Sequence, residues 1–301
     1  MIYHQPSFKV KVDVTNPGQF FACCGLLELA HCLWPGAEGY FHDNQFAVDV
    51  PTNVNGADLA SLIREIVKCE ISGLSSDERD KLAHLEKLKK DRDISAEDEE
   101  LRSKLGNQAR KGSITIGKPF DLLLDWWDAG EEDVDSPKTW AGKQEIEKVA
   151  LAAQTALLGM GNLARMFDYG CVLRKPKKYY TKASDESKVE PFYFDDRRFA
   201  HRLDAGFSLD ALGMESNSFP AVELLCLIGL QRFRPSPAPD LARGFDFWTW
   251  DKPLVPPVAA AVASGVAQIA GARHYRFALR FRDDQKRYKA FGKATPIEGE
   301  L

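Results

Sequence analysis

The chain predicts an α+β fold in which a mixed or antiparallel sheet packs against helices. Three observations point there. Phe8, Val10, Val12 and Val14 alternate with Lys9, Lys11 and Asp13, the period of a half-buried strand. Two apolar stretches, 17–33 and 220–233, read as buried helices. The remaining strand-like and helix-like segments follow one another without regular β–α alternation, which favours α+β over α/β.

Asn16-Pro17-Gly18 is turn chemistry after the first strand. Asn can cap a helix, and Pro suits its first turn. The helix over 17–33 is small and apolar at Ala22, Cys23, Cys24 and Gly25, so another backbone can approach it, and the segment reads as a docking element. Trp34-Pro35-Gly36 ends it. Tyr40-Phe41 and the stretch 45–50 suggest a hairpin through Asp43-Asn44. Leu59, Leu62, Ile63, Ile66 and Val67 have helical spacing over 56–68.

The stretch 76–111 holds ten acids and ten bases. It predicts a projecting hairpin of two helices, at about 76–91 and 95–110, with Ser95 to Asp98 resembling a capping box. It serves either as a solvated decoration or as a partner-binding arm. Short strands follow at 113–118 and 120–126. The segment 143–167 predicts the longest helix, whose Arg165 could face a phosphate. Pro220 to Phe233 is a buried helix, and the prolines at 235, 237 and 239 make a stiff connector. Phe245 to Trp250 reads as a strand and 255–270 as a helix. Tyr275 to Phe281 and Arg287 to Phe291 read as a two-stranded ribbon turning at Asp283-Asp284.

With 301 residues, 44% hydrophobic and 28% charged, the chain can bury a substantial core. The expected division is a mixed body over 1–235, with the hairpin inserted at about 76–111, and a C-terminal strand–helix–ribbon segment over 236–301 packed on the same body. No apolar run is long enough to span a bilayer, and the start carries no signal-peptide pattern, so a cytoplasmic protein without a membrane partner is expected. The six cysteines and six histidines are scattered, with no C-x-x-C and no zinc spacing. Reduced core cysteines, no metal and no cofactor are the expectation.

The net charge is −4, but charge is segregated. Asp121 to Asp135 holds seven acids and no base, a run that reads as solvated before it reads as a metal site. Arg174 to Lys182 holds five bases and no acid, and Arg273 to Lys293 holds eight bases and two acids. Lys and Arg neutralise phosphates and release counterions, and an aromatic among them can stack on an unpaired base. The candidate nucleic-acid contacts are therefore Arg174, Lys175, Lys177, Lys178, Tyr179, Tyr180 and Lys182, with Arg197 and Arg198. Arg276, Arg280, Arg282, Lys286, Arg287 and Lys289 of the ribbon form a second group. The bland readings are a solvated loop and an edge hairpin whose charges prevent aggregation.

Asn16-Pro17-Gly18-Gln19-Phe20-Phe21-Ala22-Cys23-Cys24-Gly25-Leu26-Leu27-Glu28-Leu29, followed by Leu33-Trp34-Pro35-Gly36-Ala37, resembles the start of the small Csb-class proteins of CRISPR type I-G (formerly I-U) systems. The runs from Ser218 to Pro235 and from Thr139 to Gln144 extend the resemblance in patches to about residue 235. It implies a large-subunit-like, non-catalytic part of a Cascade-like surveillance complex. Its partners would be the guide RNA, target double-stranded DNA and other effector subunits. It would help to read the motif beside the target, while base pairing reads sequence. The resemblance supplies no catalytic residues.

Two other classes compete. A metal-independent repeat-RNA endoribonuclease would use His201 among Asp195, Asp196, Arg197 and Arg198, although no Walker loop, G-x-S-x-G, H-E-x-x-H or strand-linked G-x-G-x-x-G is present. A protein-only adaptor would dock through the helix at 17–33 and the charged hairpin.

Overall fold

The Asn16-Pro17 pair starts the central helix. Gln19 donates its backbone N–H to the Asn16 side chain, and Pro17 occupies the first turn, where no N–H is needed. The computed structural model describes residues 5–51, 56–128, 136–140, 144–179, 187–198, 217–282 and 288–298, with Arg198 described by its backbone alone.

Strand β1 (Phe8–Lys11) precedes helix α1 (Pro17–Leu33). The strand stops three residues short of the expected Val14. Val12 still donates to Asn44 at 2.9 Å, but Asn16 then bonds back to Asp13 and turns the chain into α1. Strands β2 (Glu38–His42) and β3 (Gln45–Asp49) form the expected hairpin, with Asp43 left-handed at φ 50°. The sheet order is β1-β3-β2.

Helix α2 (Leu59–Lys68) begins at an Asp58–Ser61 capping box. Strand β4 (Ile71–Ser72) leads into the charged hairpin of α3 (Ser76–Asp91) and α4 (Ala96–Lys111). Leu85 and Leu105 are buried but stand apart from the main core cluster. The hairpin's charges pair internally: Lys89 with Glu99 at 2.7 Å, and Arg102 with both Glu86 and Glu99 at 2.7 Å. Strands β5 (Ile114–Ile116) and β6 (Leu122–Leu124) complete a second sheet, β4-β5-β6.

Helix α5 (Ile146–Ala156) has eleven residues and is not the longest helix. The chain continues as two short 3-10 turns, 157–159 and 163–168. Gly159 and Gly161 disfavour helix entropically, and a Cβ at Gly159 would lie 2.2 Å from the Tyr169 hydroxyl. Helix α6 (Pro220–Arg232) is buried from Pro220 to Leu230.

The C-terminal segment holds β7 (Ser236–Pro237), β8 (Gly244–Thr249), α7 (Pro256–Ala263), β9 (Arg273–Phe281), β10 (Lys289–Phe291) and β11 (Thr295–Pro296). The expected connector thus contains a strand, and α7 stops well before residue 270, ahead of Gly265 at φ 74°. The expected ribbon forms, with β9 pairing antiparallel with β10 from Phe281–Lys289 to Leu279–Phe291, and it belongs to a five-stranded antiparallel sheet in which β9 is central and β10 an edge. Strand β8 pairs with one edge of β9, and β10 and β11 pair with the other. Contacts of Phe20 and Phe21 with Phe247, and of Phe194 with Phe291, hold this segment on the body.

One cluster of buried residues runs from Phe8 to Ala294. At its centre α1 packs on α6. A Cβ at Gly25 would lie 2.0 Å from the Leu225 carbonyl oxygen, and one at Gly229 would lie 2.1 Å from that of Phe21. The residues of α1 from Pro17 to Ala30 are buried within this chain, so the segment read as a docking element is core. Phe20 of α1 then stacks on Phe41 of the first sheet and Phe247 of the third, at 5.3 and 4.3 Å. Burying one such ring contributes about 2–3 kcal/mol.

Gly25→Ala should lower stability by about 1–3 kcal/mol, the cost of overpacking, measured by urea denaturation. Gly161→Ala, where an added Cβ meets nothing within 4 Å, should leave the midpoint unchanged or slightly higher.

Candidate nucleic-acid interface

The described part of the first basic segment, 174–179, is anchored. Residues 171–175 run antiparallel to 187–189: Lys175 donates to Ser187 and Val189 to Leu173, each at 2.9 Å, and Arg174 bridges to Lys188. A 3-10 turn over Lys177–Tyr179 follows. Lys178 donates to the buried Glu147 carboxylate of α5 at 2.6 Å, and Arg79 of α3 donates to the same oxygen at 2.9 Å. The Tyr179 ring lies within 5.1 Å of the Lys148 ammonium, 5.5 Å of Lys178 and 6.0 Å of the Arg79 guanidinium. Burial, and then the Glu147 charge, push the Tyr179 hydroxyl well above its ordinary pKa.

Lys178 and Tyr179 hold the segment onto α3 and α5; Tyr179 is half-buried, and Lys178 is exposed while paired with Glu147. Arg174 and Lys177 are exposed, and Lys175 is half-buried. Lys175 lines an open groove of about 330 Å³ together with Lys148, Val149, Lys188 and Val189, with Glu145 and Glu190 on its rim. Sequence reading missed Lys148 and Lys188. Lys148 pairs with Glu145 at 2.8 Å and Lys188 with Glu190 at 3.0 Å. Tyr180 and Lys182 lie outside the described residues.

Arg197 is also committed within the chain. It donates to Asp195 at 2.8 and 2.7 Å and to the Phe167 carbonyl at 2.6 Å, and its guanidinium lies 3.6 Å from the Phe219 ring centre. Asp195 is fully buried, so Arg197 compensates an interior charge. The Arg198 side chain and His201 lie outside the described residues.

In the C-terminal sheet, Arg276 forms a two-pronged pair with Asp246 at 2.6 and 2.8 Å and also reaches Asp240 at 2.7 Å. These hydrogen bonds raise its pKa. It pairs with two carboxylates, of which Asp246 is buried. The Arg282 guanidinium lies 3.3 Å from the Tyr193 ring centre, and Lys289 donates its backbone N–H to Thr139 at 3.1 Å. Arg280 is exposed at the end of β9. Lys286 and Arg287, with the Asp283-Asp284 turn, lie outside the described residues.

Among the described residues no group of three or more His, Cys, Asp or Glu is arranged to hold a metal ion. The acidic stretch is described only to Asp128, and in it Gln231 bonds both the Asp125 carboxylate and the Asp125 and Trp126 backbone N–H groups. Cys23, Cys24 and Cys226 are buried free thiols, and burial raises their pKa values. Arg165 pairs with Asp168 at 2.8 Å. No described helix is long and apolar enough to cross a membrane. No protein-family model matches the chain, and no curated protein matches it.

Arg276→Ala should cost roughly 2 kcal/mol, because it strips charged hydrogen bonds from the buried Asp246. Urea denaturation checks this. Once folding is restored by lower temperature, affinity for RNA or DNA should equal that of the wild type.

Proposed function

We propose that the chain is a non-catalytic subunit of a CRISPR type I-G, Cascade-like surveillance complex in the cytoplasm. In this reading it contacts the guide RNA and target double-stranded DNA beside other effector subunits, and helps to read the motif adjacent to the target. Two of the runs that carry the resemblance form α1 and most of α6, the pair on which the fold is built.

The observation that carries the reading is the anchored basic segment. Lys178 and Tyr179 fix it from below, and Arg174, Lys175 and Lys177 stand on its outer side and along the adjoining groove. Cations held on a stiff support lose less freedom on binding than cations on a free loop. Phosphate contacts of this kind position a nucleic acid without reading its sequence. That division of labour suits a complex in which base pairing supplies the sequence.

The test is a titration of the protein with single-stranded RNA and with duplex DNA at several salt concentrations. Charge reversal by Arg174→Glu, Lys175→Glu and Lys177→Glu should weaken binding. It should also flatten the salt dependence by about 0.7–0.9 in slope for each phosphate that the variant no longer neutralises. An isotherm identical to that of the wild type overturns the reading.

A further inference from the structure

Five carboxylic acids are buried among the described residues: Glu28, Glu147, Asp195, Glu223 and Asp246. Four have a cation. Arg232 serves Glu28, Arg79 and Lys178 serve Glu147, Arg197 serves Asp195, and Arg276 serves Asp246. Glu223 has none, and neither of its carboxyl oxygens has a hydrogen-bond partner. A buried, unpaired carboxylate is costly, and the group relieves that cost by keeping its proton.

The surroundings of Glu223 define what the proton controls. Glu223 stands in the first turn of α6 and faces the backbone amides of Phe192, Phe194 and Asp195, too loosely for a hydrogen bond. That segment lies directly on the first turn of α1, where a Cβ at Gly18 would be 2.2 Å from the Phe194 carbonyl oxygen. Asn16, the cap of α1, donates to Asp195 at 3.0 Å. The other titratable and charged groups around this knot are Cys226 on α6, Cys24 on α1, Asp196 and Arg197 on the segment, Asp13 before α1, and Lys293 near the C-terminus. Arg197 is occupied by Asp195, so ionised Glu223 would face another carboxylate in an apolar setting.

We propose that Glu223 is a proton-controlled latch: as a neutral acid it lets the 192–198 segment close over the first turns of α1 and α6, and loss of its proton reopens that segment.

Burial first and the Asp195 charge second push Glu223 up to about 8, against the lowering pull of the backbone amides. The closed form therefore holds a proton that an opened, hydrated Glu223 would lose at its ordinary value. Closure is fully stable below that ordinary value and weakens as pH rises through about 8. Asp196, raised to about 6 by burial and then by Asp195 and Asp13, acts with the same sign at lower pH. The window from about pH 6.5 to 8 isolates Glu223.

The experiment is native-state hydrogen exchange on the full chain across that window, corrected for base-catalysed intrinsic rates. The β2–β3 hairpin amides are the internal reference. The opening constant of the segment around Phe192 to Asp195 should rise at least about tenfold, while the reference stays flat. Glu223→Gln, which keeps the shape without the charge, should abolish the rise. A flat wild-type profile, an equal rise in the reference amides, or a rise that persists in Glu223→Gln each overturns the latch. The wild-type profile decides the question even if the variant fails to fold.

Discussion

Everything in this molecule hangs on the backbone contact between α1 and α6. Gly25 and Gly229 each present a bare Cα to a carbonyl of the other helix, and no larger residue fits at either position. The close approach places Phe20 and Phe21 of α1 against Phe247 in the C-terminal sheet. It also sets Leu227 of α6 to accept the Trp126 indole N–H at 2.9 Å, and Arg232 to pair with Glu28 at 2.6 Å. Three antiparallel sheets share one interior with this helix pair.

The same architecture decides which cations answer buried carboxylates. A chain with a net charge of −4 and two basic runs invites the reading that every lysine and arginine in those runs faces outward. Lys178 and Arg276 in those runs, and Arg197 outside them, each answer a buried carboxylate. An unpaired interior charge costs more than a hydrogen-bonded pair, so these three positions are governed by the core. Arg174, Lys175 and Lys177 are the neighbours that such anchoring leaves on the surface or along the groove. A basic run in a folded protein is therefore a mixture, and burial of its partners separates the two kinds.

This explains what could be read from the sequence. Features fixed within a few residues were legible: the Asn16-Pro17 start of α1, the Asp43-Asn44 hairpin, the two helices at 76–111 and the buried helix at Pro220. The α+β class was legible for the same reason. Features fixed by distant neighbours were not. Just after α5 the Tyr169 hydroxyl occupies the space a Cβ at Gly159 would need. The ribbon is absorbed because β8, thirty residues away at the Asp246–Arg276 pairing, supplies the missing edge. Glu147 and Lys178 are 31 residues apart, and nothing in the local pattern of either announces the other.

Local rules and the fold agree almost throughout, and disagreement is concentrated where the first turns of α1 and α6 meet the 192–198 segment. Helix starts favour negative charge through their free N–H groups, which accounts for carboxylates gathering there. Asn16 and Arg197 satisfy Asp195 completely enough to bury it. Adding Glu223 to the same knot without a cation gains nothing for packing, since an apolar residue of similar volume would fill the space without the desolvation cost. A sequence shaped only by stability would carry such a residue there, and departures of this kind mark positions kept for another reason. The aromatic wall over the knot, Phe192 and Phe194 against Trp140 and Phe291, adds to the apolar setting that favours the neutral form of the carboxyl.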